Sequence, residues 1–201
     1  MSPIHELTEI LSKLPGLGPR QARRVVQYLL ARDQGFRAEL AGMIAGMSRA
    51  TAQCKECLRY DDPNSSGLCR TCADTERDAS TLIVVEHDVD IDALEASLTY
   101  RGRYFVLGGL LNLVKQRKDK VVRVQELLKR ILRGLKTGLK EVIFALSTTP
   151  EGDYTARELV KQLSTLNSKL KTTLLGRGLS VGAEVEYADP ETLRSALKNR
   201  S

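Results

Sequence analysis

Thr81-Leu82-Ile83-Val84-Val85-Glu86 decides the fold. It is a short apolar, β-branched run that ends in an acid, the pattern of a strand buried on both faces. Tyr104-Phe105-Val106-Leu107 and Glu141-Val142-Ile143-Phe144-Ala145-Leu146 are similar. Between the last two, Val124, Leu127, Leu128, Ile131, Leu132 and Leu135 have helical spacing, and a second such stretch follows with Ala156, Leu159, Val160, Leu163 and Leu166. Buried strands alternating with amphipathic helices predict an α/β region, 79–175, with a mostly parallel sheet covered on both faces. Sites in such sheets gather at the C-terminal ends of strands. That singles out Glu86, closing one strand, and Glu151 and Asp153 just past another.

Upstream lies Cys54-x2-Cys57-x11-Cys69-x2-Cys72, which uses all four cysteines of the chain. Each Cys-x2-Cys turn can place two thiolates on one ion, and two such turns close a tetrahedral site. Residues 54–78 are read as a small zinc module, because their polar, turn-rich middle (Asp61-Asp62-Pro63-Asn64-Ser65-Ser66-Gly67) cannot fold without a staple. Iron in a rubredoxin-like site has the same ligands but no evident redox partner here. A closed four-thiolate site leaves no open position for catalysis, so the zinc is structural.

The first 53 residues read as helical. Ile4, Leu7, Leu11 and Leu14 form one stripe that ends before Pro15-Gly16. A second helix runs from about Pro19 to Ala31 with Val25, Val26, Leu29 and Leu30 inward, and Phe36, Leu40, Met43, Ile44 and Met47 mark a third. Beyond 175, the stretch Gly178 to Gly182 is a turn feeding a strand, Glu184-Val185-Glu186-Tyr187. It lacks the Gly-Lys-Ser/Thr ending of a nucleotide loop. His5 and His87 are the only histidines, and neither has the neighbours that a Ser/His or Cys/His mechanism needs.

The net charge of +6 is unevenly placed. Residues 112–140 hold ten bases (Lys115, Arg117, Lys118, Lys120, Arg123, Lys129, Arg130, Arg133, Lys136, Lys140) against Asp119 and Glu126, so this stretch is +8 and the remainder −2. A localised cationic surface suits a polyanion, because phosphate contacts release condensed counterions. With 4% aromatics and no Trp, base stacking is not the main source of affinity. No stretch has the roughly 20 apolar residues of a membrane span, and the start Met1-Ser2-Pro3-Ile4-His5-Glu6 has no signal-peptide pattern. The expectation is a cytoplasmic, nucleoid-associated protein without a membrane partner.

Two motifs resemble known elements. Leu14-Pro15-Gly16-Leu17-Gly18-Pro19-Arg20, set between helical stripes, resembles the helix-hairpin-helix of sequence-independent DNA-binding proteins. There two glycines let backbone N–H groups approach a phosphate, a helix N-terminus adds its partial positive charge, and Arg20 and Arg24 share a face. Glu86 with Glu151 and Asp153 resembles the Toprim fold of topoisomerases and primases. In those enzymes the strand-end Glu and an Asp-x-Asp pair hold a divalent metal. Ser147 and Thr149 stand where the Asp pair would be, so the remaining acids imply weak magnesium binding or a partner surface, and no efficient cleavage.

Helical hairpin, four-cysteine module and acid-poor Toprim sheet, in that order, resemble the RecR family of bacterial recombination mediators over nearly the whole chain. Val84-Val85-Glu86, Gly102-Arg103-Tyr104-Phe105-Val106-Leu107, Glu151-Gly152, Thr155-Ala156, and Glu186-Tyr187-Ala188-Asp189 followed by Thr192-Leu193 carry the likeness beside the hairpin. The resemblance implies a non-enzymatic DNA clamp, a dimer or preferably a tetrameric ring, closed by the N-terminal helices and the 176–201 segment. It would load recombinase at single-stranded gaps with RecO-type and RecF-type partners. DNA contacts carried over are Gly16, Gly18, Arg20 and Arg24. The chain departs from the family at Gly108-Gly109-Leu110-Leu111-Asn112-Leu113, at Ser147-Thr148-Thr149-Pro150 and at Ser180-Val181-Gly182-Ala183. After the first of these, Lys115, Arg117, Lys118 and Lys120 are expected to add DNA affinity that other members obtain elsewhere. The rival readings are a magnesium-dependent Toprim nuclease or primase, and a zinc-containing DNA-binding regulator.

Overall fold

The computed structural model describes residues 2–62, 64–112, 122–176, 178–179 and 182–198. The chain forms two compact units, Met1–Thr51 and Ala52–Ser201.

The first unit is helical: α1 (Pro3–Leu11), α2 (Pro19–Leu30) and α3 (Gln34–Ala50). Proline opens both α1 and α2, where its missing N–H costs nothing. The stripe predicted to reach Leu14 stops at Leu11, and turns follow through Gly16. Pro15 explains this, since its ring would strike the carbonyl four residues back and it bars Leu14 from helical geometry. Helix α2 buries Ala22 and Val26. Leu30, predicted inward, is exposed at the last position of α2. Asp33 caps α3 by accepting from the Phe36 N–H at 2.9 Å. The α3 stripe of Phe36, Leu40, Met43, Ile44 and Met47 is exposed along its length.

The second unit opens with a two-residue hairpin, β1 (Ala52–Gln53) against β2 (Tyr60–Asp61), and a short helix α4 (Arg70–Ala73). The α/β region then runs β3 (Thr81–Val85), α5 (Asp88–Ala96), β4 (Arg103–Val106), α6 (Val124–Lys136), β5 (Glu141–Ala145), α7 (Pro150–Leu166) and β6 (Lys171–Leu174). All four strands are parallel, in the order β4-β3-β5-β6, with Val84 beside Phe105 and Phe144. Period-two alternation sends Leu82, Val84, Phe105, Val142 and Phe144 to one face, against Leu127 and Ile131 of α6 and Leu159 and Leu163 of α7. Ile83, Val85, Tyr104 and Val106 go to the other, against Ile91 of α5. The predicted parallel sheet covered on both faces is what the chain forms.

One expected strand is absent. Val185–Tyr187 is a 3-10 turn leading into helix α8 (Pro190–Lys198), and Val185 and Tyr187 are 62% and 81% exposed. The alternation of apolar residues there is real, but among the described residues no neighbouring strand supplies a ladder. Asp189 instead starts a helix, accepting from the Thr192 N–H at 2.9 Å.

Candidate functional site

The four cysteines converge. Their sulfurs all lie within 4.8 Å of one another, with Cys57 and Cys69 at 3.6 Å. A zinc ion with Zn–S bonds of about 2.3 Å sets the tetrahedron edge at roughly 3.8 Å, so the spacing fits. Local backbone makes it possible. Leu58 adopts φ +61°, which turns the first knuckle so that its N–H reaches the Cys54 carbonyl at 2.9 Å. Cys69 stands at the N-cap of α4, bringing Cys72 to the same point. Hydrogen bonds from Cys57, and then from Cys69 and Cys72, pull the Cys54 thiol far down. Cys54, Cys57 and Cys69 together push the Cys72 thiol far up. One thiolate is therefore easily held here, and four demand a cation.

This module is bound to the sheet by backbone carbonyls. Val106, on edge strand β4, donates its N–H to the Cys57 carbonyl at 2.8 Å. Arg123 donates to the carbonyls of Leu58 (2.9 Å) and Val106 (3.2 Å), and Arg103 to that of Cys72 (3.1 Å). Arg130 pairs with Glu56, between the first two cysteines, at 2.8 Å. Sequence reasoning missed these tethers and assigned Arg123 and Arg130 to a solvent-facing cationic run. A second polar cluster sits nearby, where Arg77 binds both carboxylate oxygens of Glu95 and the Tyr104 hydroxyl donates to Glu95 at 2.6 Å.

In the hairpin, Gly16 has φ +77°, which favours glycine, and open space where a Cβ would stand. Gly18 is the extended N-cap of α2. Arg20 and Arg24 are exposed one turn apart on α2, and Arg23 joins Arg20 in a groove lined also by Ser2, His5 and Thr8. Arg23 was not singled out in the sequence; its place beside Arg20 in that groove makes it a third candidate contact.

At the strand ends, Glu86 follows β3 with its side chain 12% exposed. It accepts a hydrogen bond from the Ser147 hydroxyl at 2.9 Å, and Ser147 lies 3.4 Å from the Thr149 hydroxyl. Thr149 caps α7 by accepting from the Gly152 N–H at 3.2 Å. Glu151 and Asp153 are in the first turn of that helix. Among the described residues, the four cysteines are the only group of three or more metal-ligating side chains that meet at one point, so Glu86, Glu151 and Asp153 form no such set. Lys115, Arg117, Lys118 and Lys120 lie outside the described residues.

Comparison with known proteins agrees in order and extent. Residues 4–47 match the helix-hairpin-helix model of RecR, residues 80–175 the Toprim domain, and residues 178–201 the C-terminal model of RecR. The recombination protein RecR of Bacteroides thetaiotaomicron is 40% identical over 190 residues, 94% of this chain and 89% of that one. That of Moorella thermoacetica is 40% identical over 198 residues, covering 98% and 96%. That of Paracoccus denitrificans is 36% identical over 197 residues, covering 98% and 95%. Matched by RecR models at both ends and by relatives at 36–40% identity along nearly its full length, the chain belongs to the RecR family.

Proposed function

We propose that this chain is a recombination mediator that holds DNA without altering it. One observation carries the second half of that reading: where a Toprim enzyme would gather carboxylates around magnesium, Glu86 is engaged by the hydroxyl of Ser147. A hard divalent cation that keeps several waters needs anionic ligands, and two hydroxyls cannot replace a pair of carboxylates. Glu151 and Asp153, with the largely covered Glu86 close to the same strand ends, then serve as an acidic surface for a partner protein.

The grip on DNA is assigned to Gly16, Gly18, Arg20 and Arg24. Exposed guanidinium groups at a helix start give phosphate contacts that carry no base information. The cysteine module holds structural zinc, supported by the closed four-sulfur geometry. Assembly into a ring is supported by the uncovered apolar stripe of α3, and action with RecF-type and RecO-type proteins at gaps rests on the likeness to recombination proteins RecR. Among the described residues no helix is long and apolar enough to cross a membrane.

The test incubates purified protein with gapped circular DNA and magnesium, and measures the mass of the complex alongside product formation. Retention of circles without strand cleavage is the expected result. Cleavage or synthesis that disappears in Glu86→Gln would overturn it.

A further inference from the structure

The ten cations between 112 and 140 are not equivalent. Arg123 and Arg130 are turned inward, to the carbonyls of Leu58 and Val106 and to Glu56. Lys129 and Lys136 do the opposite, and Arg133 stands between them with its guanidinium shared between Glu56 and solvent. The buried residues of α6 are Leu127, Ile131 and Gly134, and each of these three cations follows a buried residue by two positions. At 3.6 residues per turn, two positions rotate a side chain by about 200°, so the cations line the face pointing away from the sheet. All three are exposed, and they span roughly 10 Å along the helix.

Neighbouring groups do little to neutralise them. Glu126 is the one acid of α6. Glu56 reaches Arg133 at 3.3 Å but is shared with Arg130, and the Arg133 side chain stays 60% exposed. Lys129 and Lys136 have no ion-pair partner among the described residues. Glu126 stands one turn before Lys129 on this face, and from Lys129 onward the charges are alike at i,i+4 and i,i+3 and repel, where a merely solvated face tends to alternate. Arg133 and Lys136 fall in the last turn, where the helix end favours cations, but Lys129 lies seven residues from that end and gains nothing from it.

We infer that the outer face of α6, through Lys129, Arg133 and Lys136, is a second phosphate-contacting surface for DNA, separate from the hairpin. It rests on the reading of the chain as a DNA-binding mediator. Ten ångströms covers about three axial rises on one strand, a run of about four phosphates, so three long cationic side chains can each reach a phosphate within it. Leu132 is the one exposed large apolar residue of α6, which favours a polyanionic backbone over an amphipathic acidic helix needing several apolar anchors.

The experiment measures DNA affinity against salt for the full chain, for Lys129→Gln/Lys136→Gln and for Arg20→Gln/Arg24→Gln, on two unrelated duplexes. Urea melts verify that each variant is folded. Each phosphate contact contributes about 0.9 to the slope of log K against log salt on duplex DNA, so the α6 variant should be shallower by about 1.8 on both sequences. An unchanged slope in the α6 variant, with a shallower one in the hairpin variant, overturns this inference and leaves the hairpin reading standing. An unchanged slope in the hairpin variant alone overturns that reading instead. If the α6 variant keeps its DNA slope but loses affinity for poly-glutamate, the face serves an acidic protein and the inference fails.

Discussion

Arg123→Met tests whether the cysteine module and the sheet are one energetic unit. The guanidinium donates to the Leu58 carbonyl on the first knuckle and to the Val106 carbonyl on strand β4. Methionine keeps much of the apolar stem and removes both bonds. Hydrogen bonds from a charged donor contribute about 1.5–3 kcal/mol, and one nitrogen serves both carbonyls here, so the loss should be about 2–3 kcal/mol. For a chain of this size that lowers Tm by about 4–12 °C. The second arm repeats the urea melt after chelation. Without metal the knuckle no longer fixes the Leu58 carbonyl, and the same substitution should then cost under about 1 kcal/mol, a coupling that a thermodynamic cycle can resolve. Equal costs with and without metal would refute the tether, because Arg123 would then be stabilising the sheet alone.

Gly152→Ala should destabilise, although alanine in a helix normally gains about 1 kcal/mol over glycine. A Cβ at Gly152 would stand 1.9 Å from the Ser147 backbone oxygen, an overpacking that should cost about 1–3 kcal/mol or more. Gly42→Ala on α3, where nothing lies within 4 Å of the added carbon, should raise the urea midpoint instead. Glu95 supplies a pH prediction. Burial pushes its carboxyl up, but bonds from Arg77 and Tyr104 outweigh this and hold it below its ordinary 4.5. A carboxylate depressed in the folded state contributes stability above the unfolded value and loses it as pH falls through the folded one. Glu95→Gln should therefore lose about 1 kcal/mol at pH 7, allowing for solvent screening, and show a flatter decline below pH 4.5. A wild-type acid limb in that variant would rule out the pair as its source.

Strands β3, β4 and β5 were legible because a strand buried on both faces writes a continuous apolar run, as in Leu82-Ile83-Val84-Val85. Strand β6, Lys171-Thr172-Thr173-Leu174, was not, since a half-covered edge strand tolerates polar residues and leaves no run to read. Helix α5 buries only Ile91 and so has a weak stripe. Val185 and Tyr187 misled in the opposite direction, because alternation is a local property and a strand needs a partner that local sequence does not specify. The convergence of the four cysteines was legible because four thiols at fixed spacing leave one sensible geometry. The tethers of that module were not, because Arg123 meets Leu58 across 65 positions, and a lone arginine carries no sign of which carbonyl it will find.

The hydrogen bond from Val106 to the Cys57 carbonyl has a consequence for self-association. An outermost strand with free amides is a template on which another molecule can polymerise, and natural sheets commonly block it with a charge or a proline. On β4 the obstruction is the cysteine loop, so opening that loop, for instance by oxidising its thiols, would uncover an adhesive margin. A chain whose cysteine loop has not yet closed is thus the form most in danger of clumping, and closure of that loop becomes the step that makes the newborn sheet safe to store.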